Sequence, residues 1–144
     1  MNELNSTVAQ QIAQAAITFE TGRTGHAPDW VTVVLEKDIL VVTLHGALTA
    51  AEKNLARSPD GAAQVQEFHR QLFNTASDAL RTEIKKITGV EVKEASTEIE
   101  TTTGTVVRVF STGTMVQVFL LAGGVAADSW SGSGSADPNQ ERRL

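Results

Sequence analysis

The sequence predicts an α+β two-layer sandwich. A mainly antiparallel sheet of four or five strands carries helices on one face, in the order α-β-β-α-α-β-β-β. Three observations predict it. Two stretches, near residues 6–20 and 59–88, place apolar residues at helical spacing. Runs rich in Val, Ile, Leu and Thr lie between and after them. The breaks between neighbouring runs are short and polar, which suits antiparallel hairpins.

The first helix is expected from about Ser6 to Glu20, with Val8, Ile12, Ala15, Ala16 and Phe19 on one stripe. Asn5 or Ser6 can cap its start. Gly22 is placed to end it in a left-handed turn, and Arg23 suits the negative end of the dipole. Two strands follow, Trp30 to Leu35 and Ile39 to His45, with Glu36-Lys37-Asp38 as the hairpin turn. The second has apolar residues on both faces, which predicts a central strand or one covered by another chain.

Gly46 turns the chain into Thr49-Ala50-Ala51-Glu52, the pattern of a capping box, and a short helix should reach about Ala56. Ser58-Pro59-Asp60 starts a longer helix: cap, first helical position, first-turn acid. Val65, Phe68, Leu72, Ala76, Leu80, Ile84 and Ile87 are read as its buried stripe, with His69 near the solvent boundary. Gly89 ends it, after Lys85 and Lys86. A strand from Val90 to Thr101, bent at Ala95-Ser96, comes next. Thr105–Phe110 and Thr114–Ala122 complete the sheet, with turns at Thr102–Gly104 and Thr112-Gly113. Residues 1–122 are read as one domain. Residues 123–144, small, polar and without period, are read as a flexible tail with Trp130 as its one anchor-like residue.

Composition narrows the function. The chain has 144 residues, 41% hydrophobic and 20% charged, which reads as globular. A net charge of −5 argues against nucleic acid, which needs a dense basic face. There is no cysteine, so disulfides and thiolate metal sites are excluded. The N-terminus has no basic region and no apolar signal core. The longest apolar run, Met115 to Ala127, is too short for a bilayer, which takes roughly 20 apolar residues. The expected location is therefore the cytoplasm, with no direct membrane insertion.

Candidate sites are few. The loop Gly22-Arg23-Thr24-Gly25-His26-Ala27-Pro28 gathers glycines around a cation, as an anion cradle does. It follows a helix instead of opening one, and it lacks the spacing of a nucleotide loop. A structural turn is expected, with Arg23 and His26 as the residues to test for ligand binding. His26, His45 and His69 have no metal-ligand spacing, so no metal and no cofactor are expected. Glu52 reads as a cap, and Glu98 and Glu100 as a solvated strand face. No catalytic residue is assigned. An acidic site around Glu98, His45 and Arg23 is the distant enzymatic alternative. The strand Thr114–Ala122 is apolar on both faces: Val116, Val118 and Leu120 on one, Met115, Phe119 and Leu121 on the other. Val116, Val118, Leu120 and Phe119 are therefore the predicted interface residues.

Several segments together resemble one family. They are Gly22 to Pro28, the strand pair from Val31 to Gly46, the cap Leu48-Thr49 with Glu52, the helix end Ile84 to Gly89, and the hairpin Ser96 to Phe110. The chain is similar over about Ile12 to Phe110 to the MpsC-like proteins. These take their name from one component of a Na+-translocating, membrane-potential-generating system and were long catalogued as a domain of unknown function. In that family the loop is usually a tighter Gly-Arg-Gly-Pro, and members commonly stop near the Phe110 strand. The resemblance implies a non-enzymatic accessory or regulatory subunit in sodium or inorganic-carbon transport, with a membrane transport complex as partner. A self-assembling homo-oligomer, built through the added strand, is the alternative; a small ligand-binding domain is more distant.

Overall fold

The structure, a computed structural model, describes residues 7–99 and 113–134. The expected strand Thr105–Phe110, the turn before it and Glu100 lie outside the described residues. The elements in chain order are α1 (Val8–Thr24), β1 (Trp30–His45), α2 (Ala50–Leu55), α3 (Pro59–Thr88), β2 (Val92–Ile99) and β3 (Met115–Ser133). The fold is α+β. Among the described residues its sheet has three strands in the order β1-β3-β2, all neighbours antiparallel.

The helices start and stop where local chemistry dictates. The Thr7 side chain accepts from the Gln10 amide to open α1. The helix passes through Gly22, its expected end, and stops at Gly25, which has φ 75°. The added residues are held by the Arg23–Glu20 ion pair and by the Thr24 hydroxyl, which donates to the Glu20 carbonyl. The capping box of α2 forms as expected, and Ser58, Pro59 and Gly89 bound α3.

The expected hairpin at Glu36–Asp38 does not form. β1 is one strand of 16 residues, and the polar triplet sits at an irregularity in it. There Lys37 takes φ 57° and the pairing slips on both sides. Opposite it β3 uses the pair Gly123-Gly124 to make its own detour. The register then resumes from Leu35–Asp128 to Trp30–Ser133. Residues 123–133, expected to be tail, are therefore the second half of a long antiparallel ribbon. Trp130 packs against the core from it.

The buried apolar strand residues face the helices. Val31, Val33, Leu35, Leu40, Val42 and Leu44 of β1 and Met115, Phe119 and Leu121 of β3 meet Ile12, Ala16 and Ile17 of α1 and Val65, Phe73, Leu80 and Ile84 of α3. Val65, Leu80 and Ile84 of the expected α3 stripe are buried as read, but between them His69 and Phe73 take the inward positions in place of Phe68 and Leu72. Phe68 is 52% exposed, whereas His69 is 1% exposed.

Candidate functional site

Two features stand out among the described residues: a set of charged side chains at the helix ends, with Glu20 and His69 buried and Glu52 part-exposed, and a sheet face that no described element covers.

The cluster is drawn from three helices. Glu20, in the next-to-last turn of α1, is fully buried, and its Oε1 lies 2.6 Å from Arg23 Nη2. The Arg23 guanidinium also lies over the Phe19 ring, 4.6 Å from its centroid. Glu52 divides its two oxygens. Oε1 accepts the Thr49 amide in the capping box, and Oε2 lies 2.7 Å from His69 Nε2. The charges of Arg23, His69 and Glu52 all act on Glu20. Burial raises the Glu20 carboxyl above its usual range, and the cations offset this only in part. Burial also works to raise Glu52, but the bonds from Thr49 and His69 outweigh it and hold that carboxyl low. Glu20 Oε2, Arg23 Nε and Nη1, and His69 Nδ1 are buried without a hydrogen-bond partner.

Of the two residues singled out in the loop, Arg23 is thus engaged by Glu20 and Phe19. His26 Nε2 lies 2.9 Å from the Gly46 carbonyl oxygen. That contact braces a crossing at which the Asp29 amide donates to the His45 carbonyl at 2.7 Å. Gly46 has φ 66°, and a Cβ there would collide with the Asp29 carboxylate. His45 closes β1, and Glu98 pairs in register with Val116. Arg23 is paired with Glu20 at the end of α1. Among the described residues no three His, Asp or Glu side chains are placed to hold a metal.

The outer sheet face is built by alternation. With Leu40, Val42 and Leu44 turned inward, Ile39, Val41 and Thr43 of β1 face outward. Val116, Val118 and Leu120 of β3 pair with them one to one, Val118 opposite Val41. Val118, Ile39, Val34 and Trp30 are all more than a third exposed. Phe119, grouped with the interface residues on sequence grounds, points the other way. It is fully buried, with its ring centroid 6.1 Å from that of Phe73, and belongs to the core of the single chain.

Sequence reasoning alone misses the cluster. Its signals are the i, i+3 pair Glu20–Arg23 on a helix, a capping-box carboxylate with one oxygen to spare, and the spacing Val65, His69, Phe73. Each is common on a solvated surface, and only packing shows that Glu20 and His69 are buried.

The described residues form an α+β domain with helices on one face of the sheet and, among those residues, no element over the apolar other face. Residues 5–114 match the family described as Na+-translocating membrane potential-generating system (MpsC), and the chain belongs to that family. It is 27% identical over 110 residues to YbcI, an uncharacterized protein of Bacillus subtilis (strain 168), a match covering 76% of this chain and 89% of that protein. No solved structure matches the chain. Among the described residues, no helix is long and apolar enough to cross a membrane.

Proposed function

We propose that the chain is a non-catalytic accessory or regulatory subunit that acts in the cytoplasm by protein–protein contact through the outer face of its sheet. Its partner is a membrane transport complex of the Na+-translocating, membrane-potential-generating kind that gives the family its description. The observation that carries this reading is the open face itself: Ile39, Val41, Val116, Val118 and Leu120 form one apolar surface across two paired strands. An antiparallel sheet with one solvated face ordinarily alternates apolar and polar residues, and the paired stretch of Ile39 and Val41 with Val118 and Leu120 does not.

Affinity purification of the tagged chain from detergent-solubilised membranes of its native host tests the proposal. A membrane complex should co-purify with the wild type, with Arg23→Ala and with His26→Ala, and should be lost with Val118→Asp. Loss with the loop variants and retention with Val118→Asp would place the contact in the loop instead.

One observation favours self-assembly as a second reading. The outward positions of the central stretch of β1 and β3 carry no charge, so that two-strand strip can meet its own copy without like-charge repulsion. A light-scattering mass above the 15.4 kDa monomer, lowered by Val118→Asp, supports that reading. A monomer indifferent to the change rejects it.

A further inference from the structure

We infer, resting on the docking proposed for the central strip, that the contact face continues over the outward side of the other half of β1 and β3. There Trp30 is the anchor residue, and the surface it meets on the membrane complex is uncharged and apolar.

The second stretch is built like the first. Val31, Val33 and Leu35 are buried against the helices, so Trp30, Thr32 and Val34 face outward by alternation. Across the pair stand Ser133, Ser131 and Ser129. In this part of β3 Trp130 packs against the core and Asp128 bonds the Ala9 amide, which leaves the serines outward. Trp30 is 46% exposed and Val34 42%. The two stretches are also tied at their ends: the Asp29 amide, just before Trp30, donates to the His45 carbonyl at 2.7 Å. That bond sets Trp30 beside the end of the central strip.

Charge defines what this face accepts. The outward positions of β1 and β3 in both stretches are uncharged, although 20% of the chain is Asp, Glu, Lys or Arg. A charged group pressed onto them would lose its water and gain no counterion. The nearest charges lie around the face. Glu36, Lys37 and Asp38 sit at the irregularity beyond Ile39, and Glu94 and Glu98 hold the β2 register positions of Leu120 and Val116. An uncharged centre with a charged border is the anatomy of a protein contact.

Trp30 is prepared for burial. Its indole N–H donates to Ser131 Oγ at 2.5 Å, and that oxygen lies 3.1 Å from Thr32 Oγ1. The ring's one donor is therefore satisfied within the face, so covering it strands no polar hydrogen. The same bond holds the ring in one orientation, which lowers the ordering cost of association. A large, fixed aromatic ring on an uncharged surface is the side chain that most often dominates a contact.

The test titrates the immobilised full chain with detergent-solubilised membranes of its native host, in dilute buffer and in about 1 M KCl. Trp30→Ala should weaken half-saturation roughly thirtyfold, the size of a hot-spot truncation, and Trp30→Phe only a few-fold. Thr32→Lys should abolish capture, because it buries an unpaired charge. Val34→Lys takes its place if that variant fails to fold. Arg70→Ala, at an exposed ion pair on α3, should match the wild type. Capture should persist in the high salt. Full capture by Trp30→Ala and Thr32→Lys, with Val118→Asp still losing it, overturns the extension and leaves the central strip as the contact. Capture lost in high salt overturns the uncharged partner surface. Retention by Val118→Asp, or no capture by the wild type, overturns the docking itself and this inference with it.

Discussion

Burial opposes the charge on Glu20 more strongly than Arg23 and His69 favour it, so its carboxyl holds a proton to higher pH in the folded chain than the usual 4.5. A raised carboxyl contributes stability that is complete below the unfolded value and is lost as pH rises through the folded one. The wild type should therefore lose ground to Glu20→Gln as pH rises from 4.5 toward neutrality, seen as a widening gap in urea midpoints in favour of the variant. A gap that stays constant contradicts this. Glu52 has the opposite sign: its lowered carboxyl stabilises above 4.5, and that contribution is lost as pH falls through the folded value. Gly46→Ala places a methyl against Asp29 at a positive φ and should cost about 1–3 kcal/mol in denaturant unfolding. The turn at Gly46 is legible in the sequence. The burial of His69 in place of Phe68 is not. Hydropathy ranks Phe above His, but the helix phase set by Val65, Phe73, Leu80 and Ile84 turns His69 inward, where Glu52 accepts its proton.

Elements whose ends are set by local chemistry are legible in the sequence. Thr49 with Glu52, Ser58 with Pro59, and Gly89 each satisfy helix-end groups within a few residues of themselves. Thr49→Ala should accordingly cost about 1 kcal/mol in a urea melt. Elements set by distant pairing are not legible in the same way. Glu36-Lys37-Asp38 has the composition of a turn, yet polar residues and a bulge are equally the features that protect an edge strand. β1 is such an edge among the described strands. Only pairing with residues 128–133 shows that the strand continues, and those residues look like linker because β3 is lined there by Ser129, Ser131 and Ser133. NOESY spectra should therefore connect Val33 to Trp130, and no close pairing should appear between Leu35 and Ile39. Asp128 adds a stability measure. Its carboxylate accepts the Ala9 amide at 2.9 Å, a bond that holds the carboxyl below its usual range. Asp128→Ala should lower stability by about 1 kcal/mol, whereas the same change in an unstructured tail would leave it unchanged.

For the molecule as a whole, the proposed contact rests on the division of the described sheet into a covered and an open face. α1 and α3 bury one side, and the elements described offer no cover for the other. The α+β class and the antiparallel pairing follow from periodicity, as does the two-faced apolarity of β3. Which face stays open depends on where the helices pack, and that is a property of the whole chain. Val118 lies in the middle of the open face with its side turned from the core, so Val118→Asp should cost the isolated chain no more than about 1 kcal/mol. A loss of assembly in that variant then reports contact and not unfolding. The decisive measurement is the mass of the species that contains the chain after gentle detergent extraction of native membranes, wild type beside Val118→Asp. A wild-type assembly well above 15.4 kDa that disappears in the variant is the predicted result. A wild-type chain found only at 15.4 kDa, or an assembly that persists in Val118→Asp, would contradict it.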